Sequence, residues 1–262
     1  MAIAFHTEIY VPGQSWVHRW AVRPKLLSLL TFMLAISLVH HLLLVPWALG
    51  LVAVLYGCAR LPAAYLWRRL PYPGLFILAM VSVLPLMSGE TVLWQWHWLT
   101  LRQEGLAAAG LIAGRFLAIV TTGFILLGTT PFLDILKALR SLGFPSLLTD
   151  MALLTYRYLY DIAGQLFTMQ QAMQLRGYGL LRQTLKRQWG WLVGLFGSLL
   201  LRSYERSQRV YKAMRLRGYG ETLNLSRTTD TQAVSYITYL ATTLTLGAAL
   251  SFVLGEWILT HL

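Results

Sequence analysis

Charge is what this sequence has least of. Only 12% of its 262 residues are Asp, Glu, Lys or Arg, against about 25% in an ordinary soluble domain. A globular enzyme of the usual kind is therefore excluded. Cysteine is almost absent. The single Cys58 permits neither an intramolecular disulfide nor a cysteine-based zinc site. Acidic residues number ten and are scattered, so no set of acids, histidines and a nucleophile converges as an enzyme requires. No glycine-rich phosphate loop ending in Gly-Lys-Ser/Thr occurs, so the chain itself is not expected to bind ATP. Only four lysines are present, Lys25, Lys137, Lys186 and Lys212, too few and too dispersed for a polybasic lipid adaptor. No cleavable signal peptide is expected, because the first 25 residues are polar and aromatic.

Apolar residues are abundant. They make up 56% of the chain, and the mean hydropathy is +0.56. That excess rules out disorder and points to a polytopic membrane protein. Residues 26–44, 45–61, 75–87, 106–129 and 233–254 are apolar runs. A span needs about 20 such residues. Four runs qualify, and the 75–87 run does so only if it extends into its flanks. The expected fold is an all-α membrane protein of about five transmembrane helices plus long cytoplasmic helices.

Orientation follows from the positive residues. Segments 1–25, 59–74 and 129–232 hold 20 of the 22 Lys and Arg residues, and they alternate to one side of a five-span arrangement. Positive residues stay in the cytoplasm. The N-terminus is then inside and the C-terminus outside. Arg115 lies within a span, where an unpaired charge is costly. Glu104 and Glu90 are the nearest candidates to pair with it. Trp94, Trp96 and Trp98 in the 88–105 loop suit an interfacial aromatic belt.

The hundred residues from 129 to 232 are too many for a simple loop. Three regions are expected: 1–129 with four spans, 130–232 as a cytoplasmic helical region, and 233–262 with the last span. Thr130-Pro131 reads as an N-cap and a proline at the first helical position. Phe132, Ile135, Leu136, Leu139 and Leu142 then share one face. This short amphipathic helix is expected to lie on the membrane surface, and Gly143 and Pro145 stop it. A longer helix is expected from Ser146 to Arg176, with a stripe of Ala152, Tyr156, Leu159, Ala163, Leu166 and Met173. Another runs from Arg182 to Arg217. Its row Leu200, Tyr204, Ser207, Tyr211 and Met214 is apolar, and Glu205 stands four residues before Arg209 as a pairing partner. Gly190, Gly194 and Gly197 could give close helix packing. The 13-residue apolar stretch 189–201 is short for a span.

Two strings repeat. Residues 171–179 read QAMQLRGYG and residues 212–220 read KAMRLRGYG. Ala172/Ala213, Met173/Met214, Leu175/Leu216, Arg176/Arg217, Gly177/Gly218, Tyr178/Tyr219 and Gly179/Gly220 are identical pairs, 41 residues apart. A glycine past the last turn ends a helix in the left-handed conformation, and an arginine in that turn faces the negative pole of the helix dipole. Two well-capped helix ends would account for each residue separately. They would not account for the same tip occurring twice. A pair of identical knobs, each offering a planar guanidinium, matches two equal partner subunits related by a two-fold axis.

These tips resemble those of the transmembrane T component of energy-coupling-factor (ECF) transporters, with the nearest likeness to the cobalt/nickel type. The resemblance also rests on LLGTTPFLDILKALRSL (126–142), Gly143-Phe144-Pro145, Thr155-Tyr156-Arg157-Tyr158-Leu159 and LRSYERSQRVYKAMRLRG (201–218). His18-Arg19 and Arg23, Lys25 and Leu26 resemble the family's opening. Two departures stand out. Leu175 and Leu216 precede the arginines where the family often has alanine, and Ala21-Val22-Arg23-Pro24-Lys25 replaces its Asp-Pro-Arg-x-Lys.

The resemblance implies a multi-pass subunit of the cell (inner) membrane that is not itself an enzyme. It would link two ABC-type ATPases to a substrate-binding integral membrane S component, most directly for cobalt or nickel uptake. ATP is used by the partner subunits, and this chain needs no cofactor and no nucleic acid. Residues 172, 173, 175–178, 213, 214 and 216–219 would form the ATPase-docking tips, with Arg176 and Arg217 each docking into one ATPase. A T component for another micronutrient, such as a vitamin, or an autonomous channel or adaptor remain the alternatives. The histidines, His6, His18, His40, His41, His97 and His261, contain no His-x-x-x-His pair. A transient outer metal site is the rival to the plainer reading of none, and in the family the S component holds the ion.

Overall fold

In the computed structural model the described residues are 10–87, 92–96, 99–177, 185–219 and 236–261. They fall into two compact units, Met1–Phe144 with Gln232–Leu262, and Pro145–Thr231. The first unit holds helices α1 (Val22–Ser37), α2 (Val45–Ala59), α3 (Ala63–Arg69), α4 (Pro71–Met87), α5 (Gln103–Thr129), α6 (Phe132–Ser141) and α9 (Tyr236–His261). The second holds α7 (Ser146–Leu175) and α8 (Leu185–Leu216).

The described residues of the five apolar runs are mostly helical, with a break after Ser37. By length and apolar content, Leu42–Ala59, Gln103–Thr129 and Thr238–Ile258 can cross a membrane. The chain is an all-α membrane protein. α1 and α4, with 16 and 17 residues, are shorter than the usual span. α1 stops at Ser37 because the chain turns at His40-His41, where the backbone N–H groups bond to a side chain instead of extending the helix. One short element was not expected. Strands β1 (Val92–Trp96) and β2 (Leu99–Arg102) form an antiparallel hairpin, with a bulge between Val92 and Trp94, in the segment read as a loop. The tryptophan side chains of the expected belt lie outside the described ones.

α5 is the centre of the bundle. It packs on α1, α2 and α4, while α1 also packs on α9 and α6. Its inner face is made of small residues, Gly105, Ala109, Gly114, Ala118, Thr121 and Thr122. Small residues let helices approach closely where lipid removes the hydrophobic incentive to pack. A Cβ on Gly114 would collide with Val45. The core is closed by Phe32, Ile36, Ile125 and Phe252, with the Phe32 and Phe252 rings edge to face at 6.2 Å.

The intramembrane charge has a different partner from the two acids expected. Arg115 Nη2 donates to His40 Nδ1 at 3.2 Å, and Glu256 of α9 supplies the nearby opposite charge. Glu90 lies outside the described residues. Glu256 is 9% exposed, and its carboxylate accepts from the His40 N–H at 2.9 Å and the His41 N–H at 3.5 Å. One carboxylate thus satisfies a turn that left the helical ladder and balances a charge on a third helix. Glu256→Ala is expected to cost about 1–2 kcal/mol, because two partly buried amides lose an acceptor, and Glu256→Gln to cost less. Thermal melting in detergent compares the two. Equal melting temperatures for both variants and the parent would contradict this role.

Two details of the first unit correct the sequence reading. α6 begins at Phe132, with Pro131 as its N-cap, and neither Pro131 nor Thr130 supplies a capping side chain. Thr130 is buried, and its Oγ1 has no hydrogen-bond partner. α6 also belongs with the bundle, since Leu136 and Ala138 are buried and α6 packs on α1. The second compact unit begins at Pro145.

The Ala21 departure also has a visible consequence. α1 has Ala21 as N-cap and no side-chain cap, where an Asp would supply one. Lys25 instead ties this end of the bundle together. It is 1% exposed, and its Nζ donates to Val17 O (2.9 Å), Thr129 Oγ1 (2.6 Å) and Thr129 O (3.4 Å).

Candidate docking tips

α7 and α8 form an antiparallel pair. Arg206 Nη1 bonds to Asp161 Oδ2 at 3.1 Å, and the Tyr219 hydroxyl bonds to Asp150 Oδ2 at 3.3 Å. At the other end Ala172, Met173 and Arg176 line a cleft of about 720 Å³ with Gly190, Trp191 and Leu195. Residue numbers across the pair thus run in opposite directions. The Arg206–Asp161 pair is partly solvated, so it fixes register more than it stabilises.

The covered face of α8 is not the row of Leu200, Tyr204, Ser207, Tyr211 and Met214. Leu195 and Leu199 are buried, and Ser203, Arg206 and Val210 are half-buried. Leu200, Tyr204 and Tyr211 stay exposed at 71%, 61% and 55%. The expected stripe of α7 is only half-covered, and Leu159 is exposed. A two-helix unit encloses little, so both helices keep free apolar surface. Arg206 pairs across to Asp161, and no Glu205–Arg209 pair forms among the described residues. The three α8 glycines make no tight contact. A Cβ on Gly190, Gly194 or Gly197 would meet nothing within 4 Å. Gly190 and Gly194 widen the cleft instead of closing it.

The tips themselves are built as the capping argument requires. Gly177 and Gly218 have φ of +84° and +80°, the left-handed region. At α8 the Gly218 N–H bonds to Arg215 O and the Tyr219 N–H to Met214 O, both at 3.0 Å. These are the two bonds of a Schellman motif. At α7 the Gly177 N–H bonds to Gln174 O at 3.0 Å, the corresponding first bond. Tyr178 lies outside the described residues. Arg176 and Arg217 are exposed, as are Ala172 and Ala213, while Met173 and Met214 are half-buried. Leu175 and Leu216 are 91% and 90% exposed, the highest values among the large apolar side chains described. Each tip therefore presents a free leucine beside a free guanidinium.

The antiparallel pairing holds the tips apart. Arg176 sits beside Trp191, and about 26 residues of helix separate Trp191 from Arg217, roughly 40 Å at 1.5 Å per residue. The sequence showed two equal tips but not that they occupy opposite ends of one helix pair.

The described residues form a polytopic membrane protein in which α7 and α8 end in two equivalent exposed tips. The family model described as CbiQ, cobalt transport protein, matches residues 13–228. The EcfT transmembrane protein of the energy-coupling factor transporter of Brevibacillus brevis is 27% identical over 221 residues, covering 80% of this chain and 83% of that protein. Its counterpart in Limosilactobacillus fermentum is 24% identical over 220 residues, covering 80% and 82%. That of Staphylococcus aureus is 24% identical over 235 residues, covering 85% and 86%. The chain belongs to the CbiQ family, and with these relatives to the T components of ECF transporters. This is a family of non-catalytic transporter subunits.

Proposed function

We propose that this T component joins two ABC-type ATPase subunits to a separate substrate-binding membrane subunit, and that the assembly imports cobalt or nickel ions. The observation that carries the coupling role is the pair of identical, exposed Leu-Arg-Gly tips at opposite ends of one helix pair. Each arginine would dock in one ATPase, with the neighbouring leucine entering the same groove. A two-fold related ATPase pair offers two equal grooves set apart, as the tips are. The pair of helices then transmits a change in ATPase spacing as a lever. The exposed row Leu200, Tyr204 and Tyr211 offers apolar surface for the substrate subunit. The metal assignment rests on the matched family's description as a cobalt transport protein. Uptake of radioactive cobalt and nickel by cells carrying the whole assembly tests it, and uptake of neither would contradict it.

The tips belong in the cytoplasm in this reading, with the N-terminus inside and the C-terminus outside. Cys58 is exposed, so a Cys58→Ser background is needed. Single cysteines at Leu175 and Leu216 are expected to react with a membrane-impermeant maleimide in inside-out vesicles only. They should also cross-link to two different ATPase copies in one complex. Labelling of the two positions from opposite sides would mean that residues 189–201 cross the membrane, and the coupling reading would fail.

A further inference from the structure

Arginines also gather in the first unit, in the short connection between α2 and α4. Residues 59–74 hold Arg60, Arg68 and Arg69 and no acidic residue, so no acid of that stretch offsets the three charges. Leu42–Ala59 is long and apolar enough to cross a membrane, and α4 is a shorter apolar helix. α3, between them, therefore lies where hydrocarbon gives way to headgroups.

The aromatic residues of the connection suit that level. Trp67 is 81% exposed and Tyr72 85% exposed. Such rings settle at membrane interfaces, with an apolar body and a polar edge in one side chain. The first turns of α4 expose Leu75, Phe76 and Leu78 beside them.

Each arginine is displayed in its own way. Arg60 ends α2 with φ of +51°, in the left-handed region, and is the one non-glycine residue with positive φ among the described residues. Glycine is the usual occupant of such a position, and a side chain there is strained. The strained side chain is exposed. Arg68 is exposed on α3. Arg69 is half-buried. Its guanidinium lies 4.4 Å above the Tyr65 ring, and its Nη1 donates to the Tyr65 hydroxyl at 3.0 Å. Tyr65 is itself buried, with its ring edge to face with Phe124 of α5 at 6.2 Å. The guanidinium is thus held on a platform anchored in the bundle, with most of its five donors left over.

A guanidinium held in place suits a phosphate, which it can meet with two parallel bonds. Three positive charges with no acid nearby favour an anionic headgroup over a zwitterionic one. Three arginines are too few to tether a soluble chain to a membrane. In a chain that already spans the membrane they select which lipid stands beside it. An acidic protein surface would also attract them, but the exposed Trp67 and the apolar start of α4 match lipid better.

We propose that the α2–α3–α4 connection is a binding site for an anionic phospholipid. Arg60, Arg68 and Arg69 hold its headgroup, and Trp67, Tyr72 and the start of α4 meet its glycerol and acyl region. The site does not depend on the docking tips or on what they meet.

The test uses the full chain purified in mild detergent and equilibrated with equal amounts of phosphatidylglycerol and phosphatidylcholine. Native mass spectrometry counts the lipid that stays bound after washing. The parent is expected to favour the anionic lipid about a hundredfold, and Arg60→Gln and Arg68→Gln each to lower that preference about fivefold, one arginine's worth near an anionic surface. Added salt should weaken the parent's preference. Arg60→Gly separates charge from folding. It relieves the left-handed strain, so the melting temperature should not fall, while the lipid preference drops as in Arg60→Gln. Arg157→Gln removes an exposed charge of α7 and should leave the preference unchanged. Equal binding of the two lipids by the parent would overturn the proposal. So would an equal loss in Arg157→Gln, which would reveal attraction to total charge alone. An unchanged preference in both glutamine variants, with less of a partner protein recovered from native membranes, would assign the arginines to that protein and overturn it too.

Discussion

Reversing both tip charges, with Arg176→Glu and Arg217→Glu together, is expected to strip the ATPase subunits from the complex during purification. Each tip is an exposed arginine next to an almost fully exposed leucine. Arginines at the centre of an interface commonly carry much of its binding energy, and a glutamate there adds repulsion from the acids that an arginine would meet. The effect should be more than additive. One intact tip still tethers one ATPase and keeps its mate at high effective concentration. Each single reversal is therefore expected to lower ATPase recovery about tenfold or less, and the double reversal to lower it about a hundredfold or more. Gly218→Ala is a milder companion. It leaves the arginine in place but strains a left-handed residue, at a cost of about 1 kcal/mol. Full ATPase recovery with the double reversal would remove the tips from the interface.

The second large effect concerns Lys25. Its ammonium is buried and donates to two backbone carbonyls and one hydroxyl, linking the N-terminal segment, α1 and the end of α5. Lys25→Met keeps the volume of the side chain but removes all three donors. Carbonyls at Val17 and Thr129 then lose a partner in a site that water does not reach. The expected cost is about 3 kcal/mol, seen as a fall of roughly 10 °C in melting temperature. Loss of the α5 tie should also loosen α6, because Thr129 directly precedes the segment leading into it. An unchanged melting temperature would mean that the bonds to Lys25 contribute nothing net.

The parts of this molecule that were legible in its sequence are those governed by local rules. α7 runs from Ser146 to Leu175, as its periodicity and the flanking Pro145 and Gly177 indicated. The short α6 ends at Gly143 in the left-handed region, with the Phe144 N–H bonded back to Leu139 O at 3.3 Å. The repeated tips were visible because a seven-residue identity needs no tertiary context. What was not legible depended on which helices meet. Arg115 and His40 are 75 positions apart, and Glu256 comes from a third helix, so no spacing could pair them. The same holds for α8. Leu200, Tyr204 and Tyr211 form as good an apolar row as Leu195, Leu199 and Val210, and only the partner decides which is covered. Thr130 preceding Pro131 matched a capping pattern, yet the chain enters α6 one residue later and leaves that hydroxyl buried without a partner.

The most direct measurement of the coupling role is affinity purification of the tagged full-length chain from native membranes in mild detergent, with quantitative mass spectrometry of what accompanies it. The account predicts two copies of ATPase per chain, each carrying a Walker phosphate-binding loop, together with one small hydrophobic membrane subunit whose bound ion is cobalt or nickel. Recovery of the chain alone, or with a single ATPase copy, would contradict the assignment of two equivalent docking tips.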